Sequence, residues 1–205
     1  MLREVTKNTV IYLMRHAKPV VPFGGRAYYG ASDYPLSQEG ITAAKKVGDQ
    51  INIKFDSVFA SNMTRALHTA ELVVPKAKVN VISELREINM GDWEGRSYDE
   101  VREEFKEIYE KRGCDFGHTA PPNGESFCEV QKRALAAFQK IIGEHGGEKI
   151  LIIAHGCVIW TLFAHYFNID INNMMFYRQE YCGTHIFENA AYGMKLIRYN
   201  WMPVL

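Results

Sequence analysis

This sequence has no long apolar run, no excess of either charge and no paired cysteines, and each absence removes a class of protein. A membrane-spanning helix needs about 18 apolar residues in a row; the nearest stretch, CVIWTLFAHYF, is interrupted by Thr161 and His165. Lys plus Arg and Asp plus Glu both total 24, so the formal net charge is zero. Neither a nucleic acid nor an anionic membrane is an expected partner of such a chain. Cys114, Cys128, Cys157 and Cys182 form no C-x-x-C pair, which argues against a structural zinc site and for free thiols in a reducing cytoplasm. Arg3, Glu4 and Lys7 place charges at the N-terminus, where the apolar run is too short for a signal peptide. There is no internal repeat and no low-complexity tract. What remains is 205 residues, 47% of them hydrophobic, a length that buries roughly 70% of the unfolded surface without help from a disulfide or a metal.

Hydrophobic patterning predicts alternating strands and helices. VIYLM at 10–14, SVFA at 57–60, a segment around 78–82 and KILIIA at 149–154 read as short buried strands. PLSQEGITAAKKVGDQI reads as a helix capped by Ser37, with Ile41, Ala44, Val47, Gly48 and Ile51 on one face. NMTRALHTAELV is a second helix. SYDEVREEFKEIYEKR predicts one amphipathic helix with Tyr98, Val101, Phe105, Ile108 and Tyr109 inward and a solvated charged face. SFCEVQKRALAAFQKII carries a capping box of Ser126 and Glu129. GCVIWTLFAHYF is a further helix, and strands near 183–188 and 194–199 form a hairpin across Ala190 to Gly193. This rhythm predicts an α/β sandwich with a mostly parallel sheet, to which the hairpin adds at least one antiparallel strand.

In such folds ligands bind beyond the carboxyl ends of the strands. Arg15 and His16 follow the first strand in VIYLMRHAKP. Ser61, Asn62 and, one turn on, Arg65 follow the second; His155 and Gly156 follow KILIIA; the acidic segment SELREINMGDWEG follows the third. Singly, each is an ordinary surface or hydrogen-bonding residue. Together, two guanidinium groups can grip a phosphoryl group, and helix N-termini after Ser61 and Gly156 add backbone N–H groups. An imidazole whose pKa of about 6.5 is lowered by those arginines is a nucleophile toward phosphorus. The leaving alkoxide then needs a carboxylic acid, for which Glu84, Glu87, Asp92 and Glu94 are equally placed.

Five segments in order, LMRHAKP, ASNMTRALHTA, LREINMGDWEG, PPNGESF and IIAHG, resemble the motifs of the histidine phosphatase superfamily, which includes the cofactor-dependent phosphoglycerate mutases. The resemblance runs from about residue 10 to residue 165, with a weaker echo in the hairpin. It implies a single domain over residues 1–205, folded as a three-layer α/β/α sandwich with a mostly parallel central sheet and one antiparallel strand. It implies His16 as the phosphorylated nucleophile, with Arg15, Arg65 and His155 completing the phosphate pocket and Glu87 as proton donor. No metal and no cofactor is implied. Where the family commonly has Gly, a hydroxyl residue and Asn, this chain has Ala17, Pro19 and Pro22. Lys18 is expected to offer a charge at the mouth in compensation.

The stretch AYYGASDYPLSQEG resembles the matching segment of alpha-ribazole phosphatases, enzymes of cobalamin nucleotide-loop assembly, and puts Tyr29 and Gly30 near the phosphate; Gly156 is expected there too. The substrate class implied is a small phosphorylated metabolite, either alpha-ribazole 5'-phosphate or a sugar phosphate or nucleotide. Mutase-type transfer is the alternative within the family, disfavoured because little follows the hairpin except NWMPVL. A non-catalytic phosphate-binding protein is a second alternative, and a metal-dependent hydrolase a third. Residues 96–125, polar and broken by Gly and Pro near their end, read as a lid. Oligomeric state is open, a homodimer included. His68, His118, His145 and His165 are assigned ordinary roles, and His185 is left undecided.

Overall fold

The computed structural model describes residues 8–203; Arg3, Glu4 and Lys7 lie outside them. Six strands form one sheet, β1 (Thr9–Arg15), β2 (Ser57–Ala60), β3 (Val79–Val81), β4 (Lys149–Ala154), β5 (Thr184–Ala190) and β6 (Gly193–Trp201), in the order β3-β2-β4-β1-β5-β6. The first four of that order are parallel, while β5 pairs antiparallel with both β1 and β6. One strand therefore runs against the other five. Strand β4 explains its own sequence. Ile150 and Ile152 pack into one apolar layer, Leu151 and Ile153 into the other, and all four are fully buried. A strand covered on both faces has no polar face to show, hence the unbroken run KILIIA.

The two layers are α1 (Gln38–Gln50) and α2 (Thr64–Val73) on one face, α5 (Phe127–Glu144) and α6 (Gly156–Tyr166) on the other. Ser37 caps α1 by accepting from the Gly40 N–H, and Ser126 with Glu129 forms the reciprocal box that starts α5. Among the described residues no helix is long and apolar enough to cross a membrane.

The helix expected over 97–112 is two. Helices α3 (Tyr98–Glu104) and α4 (Lys106–Cys114) meet at Phe105, whose φ of −113° and ψ of 34° leave the helical region. The bend lets Phe105 and Tyr109 both reach the buried Trp93, at ring separations of 6.4 and 6.2 Å. Tyr98, expected inward, is 41% exposed, although its ring still meets that of Tyr28. Arg112, expected on a solvated face, is buried. Helices α1 and α6 leave β1 and β4 toward opposite faces of the sheet, and a crevice opens between two such strand ends.

Candidate active site

His16 follows β1 directly, and its N–H donates to the Ala154 carbonyl at 3.0 Å, which joins the ends of β1 and β4. Its Nδ1 lies 2.7 Å from the Ala17 carbonyl. A carbonyl only accepts, so the hydrogen-bond network assigns the proton to Nδ1 and leaves the lone pair on Nε2. Burial, then Arg65 and Arg15, push the His16 pKa well below 6.5, and the ring is neutral at neutral pH. His155, the residue before α6, is fully buried with its ring centroid 5.0 Å from that of His16. Burial, followed by His16 and Arg65, lowers its pKa as well. Neither ring nitrogen of His155 has a hydrogen-bond partner among the described residues.

The two arginines converge from different elements. Arg65, in the first turn of α2, directs Nε at His16 Nε2 over 3.3 Å. Its Nη1 and Nη2 donate to the carbonyls of Ser32 and Gly30 at 2.9 and 2.8 Å, and Asp33 lies 3.7 Å from Nη1. Arg15 donates through Nη1 to the Gln179 carbonyl at 2.8 Å and lies 4.0 Å above the Tyr181 ring, while its buried Nε has no partner. Of the four carboxylates open from sequence, Glu87 alone lines the cleft with these groups. Its Oε1 accepts from the Cys157 N–H at the start of α6 and from Ile88. Glu84 is bonded to Ser83, Asp92 to Asn123, and Glu94 to the backbone of residues 30–32. Burial first, and then Glu87, push the Cys157 thiol well above 9.0, so it remains protonated.

Arg15, His16, Arg65, Glu87 and Cys157 form the floor of a cavity of about 350 Å³ whose outer wall includes Tyr28, Tyr98, Arg112, Phe116 and Trp160; His155, fully buried beside the His16 ring, does not itself line it. A family model for the histidine phosphatase superfamily (branch 1) matches residues 11–202. The chain belongs to that superfamily. Being a histidine phosphatase, it is an enzyme acting on phosphate esters. It is 30% identical over 171 residues to the adenosylcobalamin/alpha-ribazole phosphatase of Escherichia coli K12, covering 82% of this chain and 84% of that one. It is 29% identical to a probable phosphoglycerate mutase of Yersinia pestis, over 75% of this chain and 73% of the relative. The crystal structure of a putative alpha-ribazole-5'-P phosphatase from Escherichia coli matches with a TM-score of 0.85 and 28% identity, covering 94% and 96% of the two chains.

Within this histidine phosphatase the expected substrate-binding residues divide. Tyr29 and Gly156 line the cleft. Gly30 does not; a Cβ there would stand 1.9 Å from the Ile88 carbonyl oxygen, so only glycine brings the Gly30 carbonyl to Arg65. Lys18 pairs with Glu39 at 2.6 Å, outside the cleft lining, because α1 brings that carboxylate within its reach. Ala17 replaces the family's glycine without a left-handed backbone, since it is not among the positive-φ residues. His185 faces the Phe163 and Tyr199 rings in the core, and burial lowers its pKa to about 4.

Three residues near the site were not singled out from sequence. Tyr181 and Gln179 sit in the irregular segment before β5, which carries no motif. Arg112 is one more cation in a charged run, and only its i+4 partner Phe116 hinted at an aromatic setting.

Proposed function

We propose that the protein hydrolyses a small phosphate monoester through a phosphohistidine formed on His16. The arrangement that carries this reading is the unprotonated Nε2 of His16 beside the Arg65 guanidinium, with the ring of His155 at its side and Glu87 on the same floor. In the first step Nε2 attacks phosphorus and the ester oxygen leaves, taking a proton from the Glu87 carboxyl. Arg65, Arg15 and His155 hold the equatorial oxygens as charge spreads over them. In the second step Glu87 takes a proton from water as the water attacks the phosphoryl group, and His16 is regenerated. Both histidines are held neutral chiefly by burial, and after it by the neighbouring cationic groups, which oppose a further positive charge.

Alpha-ribazole 5'-phosphate is the named substrate that the relatives and the cleft support together. Tyr28, Trp160 and Phe116 offer ring faces for a flat base, and Arg112, which has no carboxylate partner among the described residues, offers donors to its polar edge. Residues 96–125 supply Tyr98, Arg112 and Phe116, which fits a cover over the leaving group. We place this activity in the cytoplasm, in one domain, with a small metabolite and no nucleic acid as partner. A phosphate-release screen over alpha-ribazole 5'-phosphate, nucleotides, sugar phosphates and 3-phosphoglycerate, with isomerisation of the last followed in parallel, tests the reading. Preferred release from alpha-ribazole 5'-phosphate supports it; isomerisation outpacing release overturns it in favour of a mutase.

A further inference from the structure

Glu94 does not line the cleft, yet no side chain near it accepts more hydrogen bonds. Its Oε1 receives the N–H groups of Ala31 at 2.7 Å, Met90 at 3.0 Å and Gly30 at 3.1 Å. Its Oε2 receives the Ser32 hydroxyl at 2.6 Å, the Gly30 N–H at 3.1 Å and the Ser32 N–H at 3.3 Å. One carboxylate thus pins three consecutive peptides against the 90–94 segment. The outward side of those peptides is what holds Arg65, through the Gly30 and Ser32 carbonyls on Nη2 and Nη1. With two N–H groups fixed in this way, a planar guanidinium has one orientation left, and in it Nε points at His16 Nε2.

We propose that Glu94 is a positioning residue for phosphoryl transfer: it fixes the 30–32 backbone, which fixes the plane of Arg65 against the phosphoryl oxygens. This rests on the hydrolytic reading above. A misplacement of about 1 Å in a group of this kind costs on the order of 10²-fold in rate. Glu94→Gln keeps the shape but replaces one accepting oxygen with an amide that can only donate, opposite N–H groups that also donate. Its kcat is expected to fall about 10- to 100-fold with a much smaller change in KM. Inhibition by vanadate, which adopts the trigonal geometry of the transferring group, is expected to weaken in step with kcat, while inhibition by inorganic phosphate changes less.

A merely structural role would lower stability without this pattern, so the deciding measurement is a double-mutant cycle with Arg65→Lys. If Glu94 acts through Arg65, adding Glu94→Gln to Arg65→Lys costs little more than Arg65→Lys alone. Full multiplication of the two losses overturns the proposal, as does a wild-type kcat in Glu94→Gln. Ser32→Ala removes only the 2.6 Å hydroxyl contact and serves if Glu94→Gln does not fold; it should show the same non-additivity at a few-fold loss. Wild-type protein inactive on every phosphate ester would instead sink the hydrolytic reading and is read out separately.

Discussion

Arg65 and Arg112 are both buried guanidinium groups on one cleft, at 2% and 4% exposure, yet they are held by different forces. Arg65 has two carbonyls and an imidazole around it, each taking an N–H in a fixed direction, and the Asp33 carboxylate 3.7 Å away. Arg112 has one such bond, to the Thr119 carbonyl, and otherwise lies against the faces of Phe116, Phe127 and Trp93 at 4.9, 5.1 and 5.7 Å. Hydrogen bonds to a guanidinium fix its orientation; ring faces attract the charge and tolerate rotation. The first kind of setting suits a group that must meet developing charge at one point, the second a group that must accept leaving groups of varied shape. The same division runs through the whole cleft, with strand-end polar groups on the floor and aromatic rings in the wall.

Substitutions sharpen or break that division. His16→Ala at the floor is expected to lower kcat by on the order of 10⁴-fold or more and to abolish protein-bound phosphohistidine; substantial turnover would remove the floor's assigned role. Arg65→Lys should cost about 10²- to 10³-fold in kcat, irrespective of the leaving group. Glu87→Gln should slow alkyl phosphates by about 10²-fold or more and activated aryl phosphates far less; equal losses would point to another acid.

The buried imidazole of His185, in the core and outside the cleft lining, also predicts acid sensitivity. Below pH 6.5 the unfolded chain protonates its histidines while His185 in the folded chain resists until about pH 4, so stability falls as pH falls through that window. His185→Leu should recover up to about 3 kcal/mol of that loss, read by urea unfolding at pH 7 and pH 4.5. Arg112→Met in the wall should have the smallest effect, about 1 kcal/mol, expressed in KM and differing between substrates. A uniform loss of kcat as large as that of Arg65→Lys would erase the contrast.

The floor was legible in the sequence because its residues stand where apolar runs stop. Arg15 ends β1, His16 and His155 follow β1 and β4 directly, and Ser37 and Ser126 mark helix starts by local hydrogen bonding alone. The wall was not. Tyr181 reaches Arg15 only because β5 pairs with β1 in the register that sets Met14 opposite Thr184, a long-range choice that periodicity does not encode. Arg112 could be told from its charged neighbours only once the bend at Phe105 had turned it inward. Lys18 was ambiguous in the sequence because a cation beside a phosphate motif is as well satisfied by a carboxylate on the next helix, here Glu39.

Strand β1 has two hydrogen-bonded neighbours, β4 and β5, and both lie in the second half of the chain. On the ribosome β1 is made before either neighbour and stays unpaired along both edges until residues near 150 and 184 emerge. At about 5–20 residues per second that wait lasts on the order of ten seconds, with an apolar, edge-exposed segment open to mispairing. A translation product halted before β4 would carry His16, Arg15 and Arg65 and still lack the strand that the His16 backbone bonds to, so the cleft cannot assemble until β4 and β5 have been made.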